Sequence, residues 1–344
     1  MENAVLQSAA REKLPKITLD NPMFKYLCPI TQDDADQVLW DQDDDIKGLM
    51  TPRIANAEFA TVQRVGTKQM RMDPSKFGEK IVMTEDLMTR SRKNGEWGTI
   101  IDLSYQQAKD QDQLLTRAID RIMNVAAKFH TDGEYYININ GSMVLAQKFT
   151  IQTFTSPIPL TTYATATPIA DLRALKAQYG RISSAKFGSG AVILMNSVSL
   201  NALFANQNPG DLYGRYVSGR AVAQPMNPSN LDAIMLQEDL PRIVEWDDAY
   251  FDENGVAQPH LPDGKAIVIG NRPDAATPSE FVFTANMNNI QSPGAQSDAE
   301  LRLSDIYYNF ELDRDPILGK SSMGFNGGLA PKHPRAFVSW TMWS

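Results

Sequence analysis

A chain of 344 residues, 42% apolar and 22% charged, has the composition of a folded protein with one large core or two ordinary ones, not that of a disordered segment. Its net charge of −8 opposes nonspecific wrapping of nucleic acid, and no run approaches the roughly 18 consecutive apolar residues of a membrane span. Cys28 is the only cysteine, which excludes an intrachain disulfide or thiolate cluster and fits a reducing, cytoplasmic origin; His130, His260 and His333 stand in no metal-ligand spacing.

Residues 1 to 57 mix isolated apolar residues with prolines and acids, and the stretch MENAVLQSAAREKLPK lacks the apolar core of a signal peptide. Such an arm cannot bury a core of its own and is expected to be ordered by packing on a neighbour or on its own body. Residues 58 to 72 and 79 to 90 read as two strands of a long hairpin, with DPSKFG as the turn and too few apolar residues for a core, so the hairpin is expected to project.

From about 100 to 129, Leu115, Ala118, Ile119, Ile122, Val125, Ala126 and Phe129 recur at spacings of three and four, which predicts one long helix with a single buried face and Asp102 as its N-cap. EYYININGSMVLAQKF then reads as a hairpin turning at Asn140-Gly141, and 169 to 180 as a short amphipathic helix ended by Gly180. A buried strand at 191 to 195 leads into a helix capped by Ser197 or Ser199. Residues 232 to 271 read as strands separated by turns at 253 to 255 and 262 to 264, and two aromatic-rich strand segments close the chain. The glycine-rich run 324 to 331 lacks a phosphate-binding pattern and reads as a flexible connection.

Two groups of acids invite a chemical reading. Asp33, Asp34, Asp36, Asp41, Asp43, Asp44 and Asp45 are oxygen donors without the spacing or glycine of a calcium loop, and read as a solvated or charge-pairing segment. Asp247, Asp248, Asp252 and Glu253 could supply the two carboxylates of a glycosidase, but acids in this context favour turns and water. No serine sits in a GxSxG elbow, and no catalytic, cofactor or metal residue is assigned.

The hairpin, 58 to 93, carries eight Lys and Arg against five Asp and Glu, including Arg64, Lys68, Arg71, Lys76 and Lys80; the arm carries six against ten, including Asp43, Asp44 and Asp45. Adjacent segments of opposite sign predict complementarity between arm and hairpin, within or between subunits. These eight named residues are the candidate intersubunit contacts.

RVGTKQMRMDPSKFGEKIVM (64 to 83) and YFDENGVAQPHLPDGKAIVIG (250 to 270) resemble, in the expected order, two segments of the tailed-phage major capsid protein E family. The direct match covers about 40 residues, and the element order covers nearly the whole chain. The resemblance implies an α+β tailed-phage capsid fold: arm 1 to 57, extended loop 58 to 93, peripheral domain 94 to 188 with a spine helix at 100 to 129, axial domain at about 189 to 290, and C-terminal strands 291 to 344 returning to the peripheral domain. It implies a non-enzymatic, cofactor-free major capsid protein of the virion, self-assembling in the host cytoplasm into pentamers and hexamers. Scaffolding, portal and cement proteins would be its partners, with packaged double-stranded DNA enclosed but not specifically bound. The arm shows no long heptad pattern, so no fused scaffolding segment is expected, and Lys68, Lys76 and Lys80 have no identified crosslinking partner. The alternatives are an encapsulin-type nanocompartment shell, of the same architecture, and a carbohydrate-active tail-associated enzyme.

Overall fold

The computed structural model describes residues 13–14, 18, 20–43, 67–85, 103–139, 142–218, 226–252, 255–286, 306–314 and 317–343. In chain order its elements are α1 (Pro22–Tyr26), β1 (Ile30–Gln32), β2 (Val38–Asp43), β3 (Thr67–Met72), β4 (Ser75–Thr84), α2 (Leu103–Asp132), β5 (Glu134–Ile139), β6 (Ser142–Lys148), β7 (Thr153–Thr155), α3 (Pro168–Tyr179), β8 (Val192–Met195), α4 (Ser197–Ala205), α5 (Gln207–Ser218) and α6 (Pro228–Gln237). They continue with β9 (Arg242–Glu245), β10 (Ala249–Phe251), β11 (Ala257–Pro259), β12 (Lys265–Ile269), β13 (Glu280–Phe283), β14 (Tyr307–Arg314), β15 (Ile317–Ala330) and β16 (Phe337–Thr341).

The long helix α2 is the axis of the molecule. Its 30 residues make a rod of about 45 Å. Leu115, Ile119, Ile122, Val125, Ala126 and Phe129 are buried, as their spacing predicts. The helix stops at Asp132 because Gly133 turns out with φ of 73°, a conformation in which an added Cβ would also clash with the carbonyl of Phe149. Asp102, the expected N-cap, lies outside the described residues.

Two five-stranded sheets share this rod. In the first, β4 lies along one edge of β15 while β14 and β13 follow one another along the other, and β1 adds to β13 in parallel. In the second the order is β7-β16-β12-β8-β9. Its central strands are buried on both faces, which explains the uninterrupted apolar runs VILM and AIVI. Val192, Leu194, Ile267 and Ile269 join the core around α2, whereas Ile193, Met195, Ala266 and Val268 join a second core with Leu172 and Leu175 of α3 and Ile234 of α6.

Several expectations change. Residues 317–330 form the central strand of the first sheet, so the run 324 to 331 is no flexible connection; its glycines are needed for close approach. A Cβ on Gly328 would meet Tyr135 Oη at 2.8 Å, Met72 Cε at 3.0 Å and Val38 Cγ2 at 3.1 Å. Strands β3 and β4 do not pair with each other: β3 pairs β2 of the arm, and β4 pairs β15 over ten residues. The apolar side chains that were too few for a separate hairpin thus reach the main core through these partners. Residues 228–237 are helical, since Leu231, Ile234 and Met235 recur at helical spacing, and the cap of α4 is Asn196, whose side chain accepts from Ser199 N at 2.9 Å. The C-terminal segment divides, with β14 and β15 in the first sheet and β16 in the second.

The arm packs on its own body through residues 20–43. Met23, Phe24, Leu27, Cys28, Val38 and Trp40 are buried in the main core. His130 of α2 is fully buried, its Nδ1 meeting Ala126 O at 2.7 Å and its Nε2 meeting Ser279 Oγ. Burial holds this imidazole at a pKa of about 3, below the ordinary 6.5. Between those values the unfolded chain takes up a proton that the folded chain refuses, so stability falls as pH drops from about 6.5 toward 3 and levels off below. Urea titrations from pH 7 to 4 are expected to show the unmodified chain losing up to about 1.4 kcal/mol per pH unit more than His130→Gln; parallel curves would remove this role.

Candidate assembly interface

Of the candidate contacts, Lys68, Arg71, Lys76 and Lys80 are described with their side chains, Asp43 through its strand position, and Arg64, Asp44 and Asp45 lie outside the described residues. Pairing of β2 with β3 sets the acidic arm directly against the basic segment. Val38 faces Met72 and Trp40 faces Met70 on the side turned to the core, while Leu39 faces Arg71 and Asp41 faces Gln69 on the outer side. Arg71 therefore stands diagonal to Asp41 on one exposed face, Gln42 is opposite Lys68, and Asp43 is opposite Thr67. Cross-strand charge pairs of this kind contribute roughly 0.2–1 kcal/mol each. The pairing brings acidic and basic strands side by side within one chain without setting an acid directly opposite a base, and the ribbon is held down by Trp40 and Met72, with Gln37 Nε2 donating to Asp73 Oδ1 at 2.9 Å.

Strand β4 divides its side chains by parity. Ser75, Phe77, Ile81 and Met83 turn inward, Phe77 packing on Phe325 with ring centroids 5.2 Å apart, while Lys76 and Lys80 turn outward opposite Asn326 and Ser322. Arg117 of α2 forms a forked ion pair with Glu79, its Nη2 lying 3.0 Å from Oε1, and so ties β4 to the helix. Toward the free end of the same strands Val82, Leu312 and Ile317 are exposed, and Lys320 pairs with Asp313. A broad sheet face carrying mixed charges and several exposed apolar side chains is suited to cover, or be covered by, another surface.

The acids considered for catalysis hold backbone and side-chain donors of their own chain. Asp247 Oδ1 accepts from Ser197 N at 3.0 Å at the start of α4, Asp248 Oδ2 accepts from Trp246 Nε1 at 3.0 Å and from Asn21, and Asp252 Oδ1 accepts from Val256 N at 2.9 Å within its turn. Glu253 lies outside the described residues. The sequence reading missed β1 and its parallel union with β13, because a three-residue strand formed across 250 positions leaves no local periodicity.

No family model matches the sequence, and none of the curated proteins matches it. Among solved structures, a protein assigned as the capsid protein of a prophage of E. coli CFT073 aligns over 99% of this chain and 99% of its own, at 14% identity and a TM-score of 0.54. A phage-related protein of Bordetella bronchiseptica RB50 aligns over 99% of this chain and 97% of its own, at 10% identity and a TM-score of 0.56. The chain thus has the α+β fold of phage capsid proteins, shared from end to end. Within that class, α2 corresponds to the expected spine helix.

Gly328 is the point where ribbon, β5 and β15 touch. Gly328→Val is expected to cost about 1–3 kcal/mol in urea denaturation by prising Val38 and Met72 off β15; an unchanged midpoint would show that the ribbon is not seated there.

Proposed function

We propose that this chain is the major capsid protein of a tailed phage, assembling with copies of itself into the pentamers and hexamers of an icosahedral head around double-stranded DNA. The observation that carries this reading is the likeness of fold to a prophage capsid protein over 99% of both chains. The outward basic row of Lys76 and Lys80, the exposed Val82 and the seated β2–β3 ribbon support it, since they offer a preformed face for a neighbouring plate. A net charge of −8 fits a container that holds DNA without gripping it. A portal and a scaffolding protein, and cement proteins where the lattice is decorated, are partners that fit this role, with assembly in the host cytoplasm and residence in the virion.

Native mass measurement on the purified chain tests the reading: a closed particle in the megadalton range is expected, and a monomer stable at all concentrations would overturn it. Particles containing protein cargo and no nuclease-protected DNA would instead indicate a nanocompartment. Charge reversal at Arg71 or Lys80 is expected to lower particle yield while leaving the melting temperature of the subunit within a few degrees, because exposed ion pairs contribute only about 0–1 kcal/mol to folding; normal assembly of both variants would remove these residues from the contact.

A further inference from the structure

Two surface features at opposite ends of the second sheet match in charge and in apolar character. The first is the β10–β11 ribbon, a sheet of two strands by itself. At its end Phe251 is 73% exposed and Val256 53% exposed with Asp252 between them in sequence, and at its base, beside Ala249, Asp20, Asp120, Glu245, Asp247 and Asp248 line an acidic cleft. The second is a cleft of about 900 Å³ between the C-terminal half of α3, residues 180–190 and the turn at 238–239. Arg173, Lys176, Arg181 and Lys186 line it against only Glu238 and Asp239. Arg173 Nε bonds Glu238 Oε2 at 2.8 Å and Lys176 bonds Asp239 Oδ2 at 2.6 Å, so these two cations and both carboxylates balance one another and the cleft keeps the charge of Arg181 and Lys186. Ile182, 48% exposed, follows Arg181 beside the cleft. Four cations around one cleft stand out in a chain of net charge −8.

Topology keeps the two features apart within a chain. Strands β8 and β9 run parallel, Val192 beside Arg242 and Met195 beside Glu245. Residues 188–190 and 238–239 enter these strands at their N-terminal ends, where the cleft is; Trp246 and the ribbon leave at the C-terminal end. Phe251 lies over α2, beside Arg117 and Asp120, on the sheet face opposite α3. A chain cannot fill its own cleft with its own ribbon.

We propose that the β10–β11 ribbon of one copy docks at the Arg181–Lys186 cleft of the next copy, placing Phe251 against the exposed Ile182 beside the cleft and the acids at the ribbon's base and tip toward Arg181 and Lys186. The contact joins two different surfaces, so it propagates head to tail and closes into a ring when the rotation between copies divides a full turn. This rests on the assembly reading and names the surfaces through which it would operate.

Cysteine pairing tests it, since Cys28 is fully buried and its thiol is pushed up by burial, leaving introduced thiols as the reactive ones. Particles of the double variant Phe251→Cys, Lys186→Cys are expected, on mild oxidation, to give a reducible ladder of linked subunits up to ring size, with each single variant remaining monomeric on a denaturing gel. Assembled particles without a ladder would overturn the contact, as would linkage through Phe251→Cys alone, which would mean ribbon meets ribbon. Should the double variant not assemble, Phe251→Ala decides: the concentration needed for assembly should rise about tenfold or more with unchanged subunit melting, and an unchanged threshold overturns the proposal. An unmodified chain that forms no particle at all would count against the assembly reading and not against this contact.

Discussion

The apolar face of α2 has to be covered along about 45 Å of rod, and the two sheets divide it between them. Its first half meets β4, β14 and β15, through the Arg117–Glu79 ion pair and through Asp110, whose Oδ2 accepts from Ser321 Oγ at 3.3 Å. Its last turn meets β12 and β16, where Phe129 packs on Phe337, Lys265 pairs with Asp132 and Ser339 Oγ donates to Thr131 O at 2.8 Å. Fully burying each large apolar side chain contributes about 1.5–3 kcal/mol, so the helix fixes the relative position of the sheets as firmly as it fixes itself. The buried polar contacts add register: Asp110 sits with its carboxyl pushed upward by desolvation, and a sliding helix would strand it.

Because the rod is shared, one face of the second sheet is free to build its own core with α3, α4 and α6, and the strands between are apolar on both sides. This is how one chain carries two cores on opposite faces of one sheet. It also leaves the ends of β8 and β9 on different parts of the surface, with cations gathered at one end and acids at the other. Charge separated in this way is what the proposed contact between copies would use, whereas an evenly charged surface would offer no preferred neighbour.

The arm and the basic segment show how weak local signals become strong in context. Val38, Trp40, Met70 and Met72 are too few to hold a hairpin in water, yet as the inner face of β2 and β3 they close over β15. The charge asymmetry between the two segments then falls across a single pair of strands. A narrow tolerance results at Gly328, where three side chains converge on a backbone without a Cβ.

Periodicity alone determined α2, α3 and the buried strands β8 and β12, since the pattern of Leu115, Ile119, Ile122 and Phe129 admits one helical face and VILM and AIVI are too short and too apolar for anything but covered strands. Charge counting isolated the arm and the basic segment, and the acid at 252 was legible as a turn former, whereas the bond of Asp247 to Ser197 N at the start of α4 was not. Tertiary structure alone decided the partners: that β3 joins β2 and not β4, that a glycine-rich run is a central strand, and that β1 adds in parallel to β13. Those choices depend on backbone hydrogen bonds and close contacts between residues up to about 250 positions apart, for which a linear sequence holds no local record.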